Sequence, residues 1–278
     1  MYTSLSPTRA KCSLHPFTCR KTVQHTAWLQ SRQPACRRTR GLAFTVRAGW
    51  NDFEWSKAKI VEHEKAAEGL VKITVDMGGL AKDYTKGGQY IQIKVGDSKP
   101  AFYALASAPA PDKPVEIIVK NQGDTAEILC DSKAGAEIDV SPVMGKGFSV
   151  EKAPPAEFPY LFIFATGTGI GPIKALIESH ALKVKERQLT RLYYGTFNPE
   201  MTAYKALIPE WQALGLEVVD VYSGFGQGYV QDAFGKDAPI KDAKQTGVIL
   251  CGQPEMGEAV KKLVISQGVD EDSILTNF

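Results

Sequence analysis

The sequence predicts two successive domains, an antiparallel β-barrel followed by an α/β domain with a doubly wound parallel sheet. Three observations support this fold class. Short β-prone segments separated by Gly and Pro turns occupy residues 55–150, a pattern typical of a small barrel. From residue 160 onward strand and helix patterns alternate, which indicates a parallel sheet. Between the two patterns lies the stiff segment Ala153-Pro154-Pro155-Ala156, so we expect domains over 48–152 and 153–278.

The segment that precedes the barrel has its own composition. Residues 1–47 contain nine Lys or Arg, eleven Ser or Thr, and neither Asp nor Glu. This composition is typical of an organelle transit peptide. We therefore expect a plastid leader over 1–47, with processing near Val46-Arg47-Ala48, and consider a mitochondrial leader less favoured. A basic tail that binds nucleic acid or membrane is the alternative interpretation.

Without the leader the chain is acidic, with 24 Lys and Arg against 31 Asp and Glu, a net charge of −7. This charge argues against a general nucleic-acid partner. No apolar run reaches the roughly 18 residues of a membrane span. Only Cys130 and Cys251 remain after residue 47, too few for a disulfide framework or an iron–sulfur cluster. We expect no metal site.

The barrel strands are predicted from short β-prone segments that lie between Gly-containing or Pro-containing turns. A short helix is expected over 125–132, before the last of them. The predicted strands are 59–64, 70–76, 90–95, 101–106, 115–120 and 137–140.

In the second domain the first strand, 160–165, is a continuous apolar run, as expected for a strand buried on both faces. Ligands of such sheets bind at the carboxyl ends of the strands. The remaining predicted strands are 189–195, 216–222 and 247–251, and the predicted helices are 173–185, 199–207 and 254–267.

A glycine-rich motif, Thr166-Gly167-Thr168-Gly169-Ile170-Gly171-Pro172, links the first strand of this sheet to the following helix. Glycines there allow a pyrophosphate to approach the backbone, whose N–H groups at the helix start bind its charge. Proline suits the first helical turn, where its missing N–H is not needed. The spacing differs from the common dinucleotide fingerprint, and a ligand-free turn is the alternative. The predicted phosphate-binding residues are Thr166, Gly167, Thr168, Gly169, Gly171 and Pro172.

Four features in register resemble the ferredoxin–NADP reductase superfamily over residues 53–278. They are the barrel, the glycine motif, the segment Cys251-Gly252-Gln253-Pro254-Glu255-Met256 and the terminal Phe278. The resemblance implies a flavin-binding barrel and a nicotinamide-binding second domain. It also implies hydride transfer from NAD(P)H to flavin, then electron transfer to a separate acceptor.

The family's flavin signature, Arg-x-Tyr-Ser, aligns with Ala101-Phe102-Tyr103-Ala104. The resemblance implies that Tyr103 packs beside the flavin, while a barrel-core tyrosine is the alternative. Ala101 replaces the Arg that binds the FAD pyrophosphate, and Ala104 replaces the Ser near flavin N5. A charge-assisted hydrogen bond contributes about 1.5–3 kcal/mol, so FAD is favoured but FMN is possible. The residues expected to compensate are Ser107, Lys120, Gly123 and Thr125.

At the nicotinamide end, the resemblance places Cys251 by the nicotinamide C4 and Phe278 over the flavin ring, with Gly252 and Met256 in the same site. The alternatives are that Cys251 is only a small buried apolar residue and that Phe278 belongs to a frayed terminus. NADPH-using relatives carry an Arg after the second strand and a Lys before Tyr-Val-Gln. Here the segments 195–198 and 227–231 contain neither, so NADH is favoured.

The sequence therefore predicts an NAD(P)H-dependent flavin oxidoreductase whose acceptor is another protein, a quinone or a small molecule. Ala101, Ala104 and Thr276 depart from the family pattern. They keep a second hypothesis open, in which a catalytically degenerate reductase fold serves as a scaffold in a plastid complex.

Overall fold

The computed structural model describes residues 53–237 and 240–277. The expected leader and Phe278 lie outside the described residues. Residues Trp50–Phe278 form one compact unit, and within its described part the strands assemble into two sheets.

The first sheet has six antiparallel strands, as predicted, and is barrel-like without being closed by a full ladder. Its strand order is β4-β3-β6-β1-β2-β5, and its two ends approach at a single bridge between Leu105 and Ile117. The elements are β1 Ser56–Ala67, β2 Leu70–Asp76, β3 Tyr90–Lys94, β4 Ala101–Ala104, β5 Val115–Lys120, α1 Asp124–Asp131 and β6 Glu137–Val140.

The second sheet has five parallel strands in the order β11-β10-β7-β8-β9. Helices α2 and α3 cover one face, and α4 and α5 cover the other, which confirms the doubly wound class. The elements are β7 Tyr160–Thr166, α2 Ile170–Glu178, β8 Leu189–Thr196, α3 Ile208–Ala213, β9 Leu216–Tyr222, α4 Val230–Asp237, β10 Thr246–Cys251, α5 Pro254–Ser266 and β11 Ile274–Leu275.

Strand β7 shows why a buried parallel strand is apolar throughout. Successive side chains alternate between faces. Leu161 and Ile163 pack in the core beneath α2, while Phe162 and Phe164 pack against α4 and α5. Because both faces are covered, neither alternate position tolerates a polar side chain.

The helix predicted over 199–207 was wrong. Two 3₁₀ turns, Pro199–Met201 and Lys205–Leu207, precede α3 instead. The interruption lies at Tyr204, whose φ of +59° is left-handed and ends any right-handed helix. Likewise α2 ends at Glu178 rather than at residue 185, because His180 and Lys183 also have positive φ. Helix α4 and the short β11 were not predicted.

The side chain of Arg187 holds the segment between the two sheets in place by hydrogen bonds. The first sheet ends at Val140 and the second begins at Tyr160, with the proline segment between them. Arg187 donates to the carbonyls of Ala153 (2.7 Å), Leu182 (2.8 Å) and Phe158. Burial lowers the pKa of its guanidinium to about 10, still far above neutrality. Among the described residues, no helix has the length and apolar character needed to cross a membrane.

Candidate active site

The glycine motif forms a tight turn at the carboxyl end of β7. Thr166 ends the strand, Gly167–Gly169 form a 3₁₀ turn, and α2 begins at Ile170. Gly167 has a φ of +53°, which favours glycine. The first turn of α2 has neither an acidic residue nor a side-chain cap, so its positive dipole end is not neutralised. This arrangement suits a bound phosphate.

A second loop, after β10, crosses directly over this turn. A Cβ on Gly252 would lie 2.1 Å from Thr166 Oγ1, and a Cβ on Gly169 would lie 2.4 Å from the carbonyl oxygen of Cys251. The Gln253 N–H donates to Thr166 Oγ1 at 3.0 Å. Two motifs some 80 residues apart in sequence therefore form one continuous floor, because β7 and β10 are adjacent parallel strands. We call this crossing of the two loops the dinucleotide floor.

Cys251 lies beneath this floor as the last residue of β10. It is 5% exposed, and burial raises the pKa of its thiol to about 12. The thiol is therefore uncharged at neutral pH and is neither a general base nor a nucleophile. Beside a nicotinamide it would be a small, polarizable contact.

The remaining predicted residues of this site lie in different surroundings. Thr168 is half-buried on the turn, and Pro172 is buried in the first turn of α2. Gly171 faces the barrel, where an added Cβ would lie 3.0 Å from Ala106 Cβ. Met256 does not join the floor, because it is buried in the core beneath α5.

The flavin-signature strand β4 presents two aromatic residues to opposite sides. Tyr103 is 8% exposed and packs in the barrel core, whereas Phe102 is 60% exposed and contacts Tyr90 edge to face. Burial raises the pKa of Tyr103 to about 12, and its hydroxyl has no hydrogen-bond partner among the described residues. A buried phenol hydroxyl usually has a hydrogen-bond partner, so this hydroxyl suits a bound ligand that supplies an acceptor.

Two of the expected flavin-binding hydroxyls are engaged within the barrel. Ser107 Oγ accepts from the Glu116 N–H at 3.1 Å. Thr125 Oγ1 bonds Ser98 Oγ at 2.8 Å and the Lys99 carbonyl, which tethers the β3–β4 loop to α1. The Thr125 hydroxyl proton is therefore used within the barrel, whereas Ser107 Oγ only accepts and keeps its own proton for another acceptor.

Two other expected residues remain accessible. Gly123 precedes α1 with a φ of +93° and open space around its Cα, and Lys120 is exposed at the end of β5. Lys120 therefore fits a flavin pyrophosphate as a cationic donor, whereas Asp124 and Glu127 place negative charge in the first turn of α1, so this end of the site has fewer favourable donors than the family pattern supplies.

Sequence reasoning missed an exposed aromatic group at the carboxyl ends of β8 and β9. Phe197, Phe225 and Tyr229 are each between 61% and 64% exposed. The Gly224 N–H donates to the Phe197 carbonyl at 2.8 Å, which joins the loops that follow the two strands. Exposed aromatic rings at a ligand-binding edge are available to stack on a base. In a sequence such residues are easily mistaken for core aromatics.

Comparison with known proteins identifies the relatives of this chain. The model of the "Oxidoreductase NAD-binding domain" family matches residues 163–262. The chain is 34% identical over 230 residues to "Fruit protein pKIWI502" of Actinidia deliciosa, with 76% of this chain and 72% of that protein covered. It is 24% identical over 225 residues to "Terephthalate 1,2-dioxygenase, reductase component 2" of Comamonas sp, covering 76% of this chain and 64% of the bacterial protein.

A solved structure has the same fold. A ferredoxin–NADP⁺ reductase from Neisseria gonorrhoeae with bound FAD and NADP aligns with a TM-score of 0.62 at 16% identity, covering 81% of this chain and 99% of that one. The barrel, the dinucleotide floor and the flavin-signature strand define the class of flavin- and nicotinamide-dependent reductases. The chain belongs to the ferredoxin–NADP reductase superfamily, whose members use FAD with NAD(P)H. Among the described residues, no three His, Cys, Asp or Glu side chains form a group that could hold a metal ion.

Proposed function

We propose that this protein is an NADH-dependent flavin reductase that transfers electrons to a separate acceptor. The observation that carries the proposal is the contact between α2, which begins at the dinucleotide floor, and the flavin-signature segment, by which we mean β4 and the residues after it as far as Ser107. Gly171, in the first turn of α2, lies against Ala106, three residues after Tyr103. A nucleotide on the floor and a flavin along that segment would meet at the seam between the sheets. Bound FAD supplies the hydride-accepting chemistry, and the protein positions the reactants.

Each part of the chain has a distinct task in this proposal. The free N–H groups at the start of α2 bind the dinucleotide pyrophosphate. Because Gly252 has no side chain, the two loops of the floor can contact each other at Thr166, and the neutral Cys251 thiol adds no charge near the nicotinamide. Lys120 holds the FAD phosphates in place of the missing Arg, with the open backbone at Gly123 beside them.

The preference for NADH over NADPH rests on charge at the ends of β8 and β9. A 2′-phosphate carries about two negative charges and needs cationic donors. The segment after β8, Thr196-Phe197-Asn198, has none. In β9 the Asp220 carboxylate has a buried oxygen without a partner, and burial raises the pKa of Asp220. A second phosphate close to this carboxylate would be repelled.

The acceptor and the location complete the proposal. The bacterial relative named above is a dioxygenase reductase component, and the chain spans about 64% of its length. Cys130 and Cys251 cannot together hold an iron–sulfur cluster, so the acceptor lies on another molecule: a protein, a quinone or a small molecule. The acid-free leader supports a plastid location. The scaffold hypothesis remains the alternative, supported by Ala101, Ala104 and Thr276.

Anaerobic mixing of the FAD-loaded full chain with NADH is expected to bleach the visible flavin absorbance. We expect the second-order rate constant to be about tenfold higher for NADH than for NADPH, a difference of about 1.4 kcal/mol. Stopped-flow spectroscopy with each nucleotide measures both quantities. A protein that binds flavin but is reduced by neither nucleotide would support the scaffold, and a tenfold preference for NADPH would contradict the charge argument.

Residues 1–47 fused to a fluorescent reporter are expected to direct it to plastids, because basic, acid-free leaders are recognised by organelle import machinery. Fluorescence microscopy in plant cells provides the measurement. A matched leader with Arg37 and Arg38 changed to Glu should leave the reporter outside. Mitochondrial signal alone would refute the plastid assignment.

A further inference from the structure

The two sheets meet across a small polar cluster centred on Lys174 of α2. Its side chain is 7% exposed, and its ammonium lies 2.9 Å from Glu178 Oε1 and 3.4 Å from Glu116 Oε1. Glu178 belongs to the same helix, whereas Glu116 belongs to β5 of the barrel. The buried pair of Lys174 and Glu116 therefore joins the flavin-type barrel to the nucleotide domain.

Lys174 also reaches the flavin-signature segment itself. Its ammonium donates to the Ala106 carbonyl at 3.4 Å. One turn earlier in α2, Gly171 packs against the same alanine. Because α2 begins at the dinucleotide floor, one short helix connects that floor to the flavin segment through two contacts.

Tyr204 completes the cluster from a third direction. Its hydroxyl donates to Glu116 Oε1, and its ring lies 5.1 Å from the Lys174 ammonium. Burial and the charge of Glu116 raise the pKa of Tyr204, so the phenol stays a donor. Its left-handed φ of +59° is unfavourable for a bulky residue and persists only where surrounding contacts enforce it.

We propose that Lys174, Glu116 and Tyr204 form an interdomain latch, which fixes the separation between the flavin segment and the dinucleotide floor. Lys174 is thereby a positioning residue for hydride transfer, an inference that rests on the proposed function. Within its own helix Glu178 alone would neutralise Lys174. The contacts to Glu116 and Ala106 satisfy the remaining donors of this buried ammonium from the barrel side and so connect the two domains. Separation of the domains would break the Lys174–Glu116 pair, the hydrogen bond from Lys174 to the Ala106 carbonyl and the hydrogen bond from Tyr204 to Glu116, so the latch resists it.

The latch predicts a specific kinetic effect when Lys174 is replaced. Misplacement of reacting groups by about 1 Å can slow a reaction about a hundredfold. In the FAD-loaded full chain, Lys174→Met should therefore slow flavin reduction by NADH by about tenfold or more. The half-saturating NADH concentration should change less than about twofold, because the floor that binds the dinucleotide is untouched.

Three further variants test the assignment. Lys174→Arg keeps the charge and should restore most of the rate. Tyr204→Phe removes only the donor to Glu116 and should slow reduction in the same direction, by a smaller factor. Lys261→Met is the matched control. Lys261, on α5, forms an exposed ion pair with Glu271, so its replacement should leave the rate unchanged.

A second measurement separates failure of the latch from failure of the proposed function. Calorimetry without nucleotide should show one unfolding transition for the parent protein and two for Lys174→Met, because the domains no longer unfold together. If NADH does not reduce the parent, the proposed function fails and calorimetry alone decides on the latch. The positioning role would be overturned if both Lys174→Met and Tyr204→Phe reduced flavin at rates within twofold of the parent. If Lys174→Met does not fold, the rate of Tyr204→Phe alone decides whether the latch positions the reactants.

Discussion

Replacement of Gly252 by alanine is expected to abolish dinucleotide binding and to lower the free energy of unfolding by about 2–5 kcal/mol. Two physical effects add. The φ of +143° is one that side-chain-bearing residues rarely adopt, and the new Cβ would lie 2.1 Å from Thr166 Oγ1 and 2.9 Å from its nitrogen. Relief of the clash would break the hydrogen bond from Gln253 to Thr166 and separate the two loops of the dinucleotide floor.

Nucleotide titration and urea denaturation of Gly252→Ala measure the two effects. Gly257→Ala is a matched control in the neighbouring helix α5, where an added Cβ meets no atom within 4 Å. This control should bind NADH normally and be about 0.5–1 kcal/mol more stable, because alanine favours helix over glycine. Normal nucleotide affinity in Gly252→Ala would refute the crossing of the two loops as the binding floor.

Replacement of Arg187 by alanine is expected to destabilise the protein by about 3–5 kcal/mol, because three part-buried backbone carbonyls lose a charged hydrogen-bond donor. Arg187 donates to Ala153 on one side of the proline segment, to Phe158 on the other, and to Leu182 after α2. Alanine would leave all three part-buried carbonyls to find other donors. Lysine would restore the charge but not the planar fork that reaches three acceptors.

The free energy of unfolding, measured by urea denaturation, gives the size of this effect. Arg191→Ala is the control, because Arg191 pairs with Glu217 on the partly exposed edge strand β9. Exposed pairs contribute about 0–1 kcal/mol. Equal destabilisation by the two variants would show that the Arg187 contacts do not hold the interdomain segment.

The candidate site was only partly predictable for a reason visible in β4. The sequence motif predicted that Tyr103 packs beside the flavin, and the structure adds that its ring is buried with an unpartnered hydroxyl among the described residues, while the neighbouring Phe102 is exposed. Similarly, Thr125 and Ser107 have suitable hydroxyls, but these hydroxyls bond to neighbouring barrel segments. A hydroxyl's availability depends on its competitors for hydrogen bonds, and those come from distant parts of the chain.

Several features were determined by the sequence itself, because they depend on neighbours along the chain. The six barrel strands follow from alternation of apolar residues, β7 from a continuous apolar run, and the turn before α2 from closely spaced glycines. The helix predicted over 199–207 was wrong because propensity alone does not reveal that Tyr204 is held in a left-handed conformation.

Only the tertiary structure decided how the domains are connected. Lys174 and Glu116 are 58 positions apart, and in the sequence both look like ordinary surface charges. Their pairing arises because α2 packs against β5, which buries both side chains where an unpaired charge would be unstable. In the same way, glycine is required at position 252 because parallel pairing of β7 and β10 places Thr166 where a Cβ on residue 252 would lie 2.1 Å from its Oγ1. The periodicity of apolar residues predicts individual strands and helices because it depends on neighbours along the chain. Contacts between these elements depend on how their faces pack together in the core, which the periodicity does not reveal.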